Sequence, residues 1–248
     1  MRAPYRLHFG AIYAALGIIL AAAIVTTVVL VTRDKPAEPP AWSPWQPVGD
    51  ADAKVEQIRS YVSDVYKLPN GDDFSVVRAG PPTEQGLPIE SFVIRRAATA
   101  TQQRNFNLIS AKNSVVYTIS MCGVTIDCTQ LKGQDAANVT RALRREALEL
   151  SLYTLEYVGD VPSVLVELPQ LTQNGASPAL LFQRSDVAAQ LQRPLRFTLR
   201  RLDVVTPNTI PGAEARRIDS LTVTRLYQFS ITQDPSGAPL MVLDPVQP

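Results

Sequence analysis

Residues 135–158 read DAANVTRALRREALELSLYTLEYV, and Gly159 follows directly. Val139, Leu143, Ala147 and Leu150 recur at helical spacing, and Leu148, Leu152 and Leu155 widen the row. This periodicity predicts a helix that stops at the glycine. Arg145 and Glu149 stand four residues apart, the spacing of an ion pair along one helix face. An apolar stripe this broad has to be covered by another layer, and a sheet is the expected cover.

The sequence on either side supplies that sheet. Upstream, residues 74–79, 89–96, 105–110 and 114–121 are rich in Val, Ile, Phe and Tyr and are separated by turn residues, which predicts four strands. Ala111-Lys112-Asn113 predicts a tight turn pairing the last two as a hairpin. Downstream, 161–168 and 180–182 read as strands, and Ser185-Asp186 opens a short helix ending near Leu191. The stretches 195–202 and 221–231 alternate like strands, and 206–212, with Pro207 and Pro211, reads as a loop. Asp234-Pro235-Ser236-Gly237 predicts a turn that folds 240–243 back on its predecessor. Ahead of all these, Val55, Ile58, Val62 and Val65 predict a helix over 52–67, capped by Asp50 or Asp52 and ended by Pro69-Asn70-Gly71. The order is helix, strands, long helix, strands. It predicts an α+β fold: mainly antiparallel sheet packed against one long helix.

The N-terminus is of another kind. Residues 9–32, FGAIYAALGIILAAAIVTTVVLVT, carry no charge. As a helix they would extend about 36 Å, against about 30 Å of bilayer hydrocarbon. They continue past the length of a signal-peptide core, so an uncleaved single-pass anchor is expected. Arg2 and Arg6 before the run balance Arg33 and Lys35 after it. The α-amino charge then favours a short cytoplasmic tail (1–8) and an extracytoplasmic body at the cell membrane. Gly10, Ala14, Gly17 and Ala21 give a small-xxx-small spacing that permits a helix pair and is also ordinary in membrane helices. Residues 33–50 hold Pro36, Pro39, Pro40, Pro44 and Pro47 and read as a stiff linker. Trp42 and Trp45 suit either the lipid headgroup level or the base of the domain. The body is expected to occupy 51–248.

The 248 residues contain one histidine, His8, ahead of the apolar run. No imidazole is therefore left in the body for a Ser-His-Asp triad, a Cys-His pair or a histidine zinc site. No nucleotide, nucleophile-elbow or metalloprotease motif is present. Ser110-Ala111-Lys112 and Asn70-Gly71-Asp72-Asp73 read as turn chemistry. Glu90, Asp127, Glu146, Glu149 and Glu167 flank core elements, and a hydrolase using two carboxylates would draw on them. Cys122 and Cys128, in CGVTIDC, suit a small disulfide loop outside the cytoplasm. Free structural thiols are the alternative; the spacing does not fit a C-x-x-C redox site. No cofactor, metal or catalytic residue is expected.

Charge is nearly balanced, with 24 basic and 23 acidic residues in all. Beyond residue 35 the balance is 20 basic to 22 acidic, which argues against nucleic acid as a partner. Between residues 184 and 225, eight arginines face four acids. Arg196, Arg200, Arg201, Arg216 and Arg217 are the candidates there for a small anionic ligand, a lipid headgroup or a cell-wall polymer.

CGVTIDC, the helix segment LRREALELSLYTLEYV and the strand segment VPSVLVELP resemble stretches of single-pass envelope proteins of actinobacteria, an uncharacterised family. The excess of Arg over Lys, with much Ala, Pro and Val, fits a GC-rich genome. The resemblance covers about residues 114–169. It implies membrane anchoring and no activity. The function expected is that of a membrane-anchored extracytoplasmic interaction or accessory protein of the cell envelope, with a protein partner there; an anionic-ligand binding domain is the alternative.

Overall fold

Helix α1 spans Tyr5–Thr32 in a unit of its own, Met1–Pro40. The computed structural model describes residues 5–32, 40–84, 86–95, 106–121, 133–170 and 177–246. Side chains of α1 are described over 13–28, and all of these are exposed. Crossing a bilayer takes about 20 apolar residues. Among the described residues no helix is long and apolar enough to cross a membrane. Cys122 and Cys128, with Asp127, lie outside the described residues.

The second unit, Ala41–Pro248, is a mixed α+β domain. Its elements are α2 (Ala51–Ser63), β1 (Val76–Gly80), β2 (Thr83–Glu84), β3 (Leu87–Pro88), β4 (Ser91–Arg95), β5 (Phe106–Ser110), β6 (Val115–Ser120), α3 (Ala136–Tyr157), β7 (Ser163–Glu167), β8 (Pro178–Gln183), α4 (Ala188–Leu191), α5 (Gly212–Thr222), β9 (Leu226–Gln233) and β10 (Pro239–Pro245). Asp50 caps α2 by accepting from Ala53 N at 2.9 Å, and Asp135 caps α3 by accepting from Ala137 N at 2.9 Å. Eight strands form one sheet in the order β1-β6-β7-β8-β9-β10-β4-β5, beside the small β2-β3 hairpin. The pairs β6–β7 and β4–β10 are parallel; the other pairs are antiparallel.

The expected β5–β6 hairpin does not form. β5 pairs with β4, while β6 lies between β1 and β7. Yet Ser110 and Val115 are separated by only four residues, at most about 18 Å of chain. In a flat sheet β5 and β6 would stand roughly 29 Å apart at 4.8 Å per strand. The sheet therefore has to bend back on itself, and Ala111 is buried at the bend. The bend explains a core with no helix in it: Phe92, Leu165, Leu181, Met241 and Leu243 are buried together on the face away from the helices.

The opposite face carries the larger core. Strand alternation sends Tyr117, Ile119, Val164, Val166, Leu180 and Phe182 toward Leu143, Leu148, Leu152 and Leu155 of α3. α3 is buried almost all round in its second half, because α2 and α5 pack along its flanks. The expectation of one covering helix is thus corrected to three.

Two further corrections concern the last third. Residues 195–202 form no strand. Leu195–Phe197 is a 3-10 turn, with Thr198 N and Leu199 N both donating to Leu195 O at 2.7 and 2.8 Å. Leu195, Thr198 and Leu199 are buried and Phe197 is exposed, a spacing of three and four that matches a turn. Residues 213–220, to which the sequence assigned no element between the loop at 206–212 and the strand at 221–231, lie in the helix α5, which takes in Gly212 and the first two residues of that expected strand. The turn after Asp234 pairs β9 with β10 as expected.

Candidate functional site

The chain enters the domain through an aromatic clasp. Trp42 Nε1 donates to Gln190 O at 3.1 Å, and Leu195 N donates to Trp42 O at 2.8 Å. Ser43 Oγ and Tyr153 OH share a hydrogen bond of 2.8 Å. Trp45 lies flat on Tyr61, ring centroids 3.9 Å apart, and both meet Tyr153 edge-on. The two tryptophans therefore pack on the domain. Trp45→Ala removes one stacked pair and its buried area, a loss of about 2 kcal/mol. A Tm about 4–8 °C lower in thermal unfolding is the expected outcome; an unchanged Tm would show that the clasp adds no stability.

Perturbed ionisable groups gather in the interior, around α3. Arg145 is 1% exposed and Glu146 0%. Arg145 donates through Nε to Glu214 at 2.8 Å, through Nη1 to Tyr66 OH at 2.6 Å and Glu149 at 2.8 Å, and through Nη2 to Arg200 O at 2.7 Å. Tyr66 OH in turn donates to Glu149 at 2.7 Å. Burial opposes the guanidinium charge, but Tyr66, Glu149 and Glu214 hold it on and raise its pKa. Burial also raises the Tyr66 hydroxyl well above its ordinary value. Among the described residues Glu146 has no cationic partner. It accepts from Ser75 Oγ at 2.6 Å, its Oε2 has no hydrogen bond, and burial pushes its pKa up to about 8. Such shifts mark catalytic sites when they face a cleft. These groups are enclosed by α2, α3, α5 and the sheet, so the network ties elements together.

The candidate carboxylates are thus accounted for singly. Glu149 belongs to the Arg145 network, and Glu146 is buried beside it on Ser75. Glu167 accepts from Thr118 Oγ1 at 2.9 Å, and burial raises its pKa. Glu90 is exposed. Lys112 N donates to Ser110 Oγ at 3.2 Å, and Asp72 N to Asn70 Oδ1 at 3.2 Å, so both short motifs serve turns.

A groove of about 870 Å³ runs between the start of α2, the residues after β1 and the chain beyond α3. Asp50, Asp52, Glu56, Lys54 and Asp160 lie along it. Asp50 is engaged as the α2 cap, and Glu56 is held by Arg59, which lowers its pKa. Lys54 Nζ donates to Tyr157 O at 3.3 Å. The groove's charges are largely used by the fold.

The arginine-rich segment is used less. Arg184 donates to the carbonyls of Val158, Gly159 and Val161 and Arg225 pairs with Asp186, while among the five candidates Arg217 Nη1 caps the carbonyls of Phe197 and Thr198 and so fastens the 195–198 turn to α5. Arg200 N donates to Glu214 Oε1 at 3.2 Å, joining the same turn to the buried network. These bonds bring Arg196, Arg200, Arg201 and Arg216 to one region, and all four are exposed, as is Arg193. Among the described residues none of these five forms an ion pair. Arg196 lies over the Phe197 ring at 5.1 Å. Phe197 and Val204 are 52% and 51% exposed. The sequence revealed the charge excess; that Phe197 points outward depended on the turn.

Against protein-family models, curated proteins and solved structures, the chain gives no match.

Proposed function

We propose that this chain is a single-pass membrane protein whose domain serves outside the cytoplasm as an interaction or accessory module of the cell envelope. One observation carries the reading: the uncharged run 9–32 lies within one helix, Tyr5–Thr32, directly ahead of a separately folded unit. Thr26 and Thr27 donate their hydroxyls back to Ala22 O and Ala23 O at 2.6 and 2.8 Å, which satisfies their polarity inside the helix as a lipid environment demands. In this reading Cys122 and Cys128 form a disulfide in the oxidising compartment. The unpaired arginines favour the second reading, an anionic-ligand binding domain.

Treatment of sealed cells with a membrane-impermeant protease tests the topology. Removal of the C-terminal portion from intact cells is the expected result. A C-terminal portion that survives on sealed cells and is cut only after lysis overturns the proposal.

A further inference from the structure

We infer that the arginine face formed by residues 193–204 and the start of α5 is a docking surface for the anionic phospholipids of the membrane that carries the anchor. The inference rests on the single-pass reading above. Three observations on the domain itself support it.

First, Arg193, Arg196, Arg200, Arg201 and Arg216 are exposed, with no carboxylate partner among the described residues. The arginines at 141, 144, 145 and 225 all pair with acids. Apart from the exposed Arg78 on β1, the other described arginines of the domain bond to acids or carbonyls, so the free ones gather at residues 193–216 and concentrate positive charge there.

Second, the apolar members suit an interface. Phe197 is half exposed beneath Arg196, and Val204 stands nearby in sequence at similar exposure. Arginine beside an exposed aromatic matches the boundary between headgroups and acyl chains, where the ring enters and the guanidinium stays with phosphate. A soluble anion would engage the arginines and leave Phe197 in water.

Third, the face adjoins the chain entry. Trp42 O accepts from Leu195 N, and Arg196 and Phe197 are the next two residues. From Thr32, where α1 ends, to Ala41 is at most about 32 Å of chain. The same clasp that holds Trp42 holds this segment where the chain enters the domain.

The full chain in lipid nanodiscs provides the test, with discs of phosphatidylcholine alone or with a third of phosphatidylglycerol. Hydrogen–deuterium exchange is read over peptides from 193–204 and 212–217. The expected result is slower exchange in the anionic discs, on the order of tenfold at low salt and lost at high salt. Each arginine near an anionic surface contributes roughly fivefold, so Arg196→Gln, Arg201→Gln and Arg216→Gln together are expected to abolish the difference. Phe197→Ser is expected to reduce it. An unchanged far-UV spectrum shows that the variants are folded.

Equal exchange in both discs, with the chain incorporated, overturns the docking face and leaves the anchor standing. Failure to incorporate into either disc overturns both. Protection by inorganic phosphate in detergent, matching that of the anionic discs and unaffected by Phe197→Ser, assigns the face to a soluble anion and overturns lipid docking.

Discussion

Replacement of Arg145 by alanine is expected to abolish stable folding of the domain. The guanidinium holds four groups from separate parts of the chain: Tyr66, Glu149, Glu214 and the carbonyl of Arg200. Alanine would leave Glu214 and Glu149 as carboxylates without their cation in a site nearly closed to water. Removing one partner of a buried ion pair costs about 3–5 kcal/mol, and here one cation serves two acids. Domain stabilities are about 5–15 kcal/mol, so the loss takes most of the margin. Arg145→Lys is not expected to rescue, since one ammonium cannot replace the planar fork that reaches all four acceptors. Arg145→Met with Glu149→Leu and Glu214→Leu is expected to recover most of the loss, because no unpaired charge then remains buried. Urea unfolding of the purified full chain reads all three. A loss below about 1 kcal/mol for Arg145→Ala would show that the network contributes little.

The second large effect concerns pH. Glu146 is buried with its pKa pushed up to about 8, while the unfolded chain returns it to the ordinary carboxylate value near 4.5. Between these values the folded protein keeps a proton that the unfolded chain releases. The unfolded state thus binds fewer protons, and stability falls as pH rises through this window. The contribution is fully present below about pH 4.5 and gone once pH passes about 8, a span on the order of 5 kcal/mol. Glu146→Gln mimics the neutral acid and keeps an acceptor for Ser75 Oγ. The variant is expected to match the native chain near pH 5 and to exceed its stability increasingly toward pH 8. Other titrating groups act on both proteins alike, so the difference between the two Tm profiles isolates this residue. Parallel profiles would sink the assignment.

Residue 145 shows how far the sequence reading reached. The i,i+4 spacing from Arg145 to Glu149 was legible, and the pair forms at 2.8 Å. Its weight was not legible, because Tyr66 and Glu214 lie 79 and 69 residues away. Isolated on a helix such a pair is a surface feature; packing by α2 and α5 turns it into the centre of a buried network. The arginine face follows the same pattern. Its charge was countable, but its use depends on which arginines the fold consumes: Arg217 is spent on carbonyls, whereas Arg196, Arg200, Arg201 and Arg216 are left exposed.

The sequence by itself determined the local elements with strong periodicity or capping: α2 after Asp50, α3 between Asp135 and Gly159, the apolar strands and the β9–β10 turn. Backbone preference and side-chain spacing act over a few residues, so neighbours alone suffice for these. Only the tertiary structure decided strand partners. Ala111-Lys112-Asn113 looked like a hairpin turn, yet β5 went to β4 and β6 to β1 and β7. A strand's hydrogen-bonding edge is the same for any partner, so pairing follows from which arrangement buries both faces. Bending the sheet buries Phe92, Leu165 and Leu243 on the side without helices, and a local hairpin could not close that core.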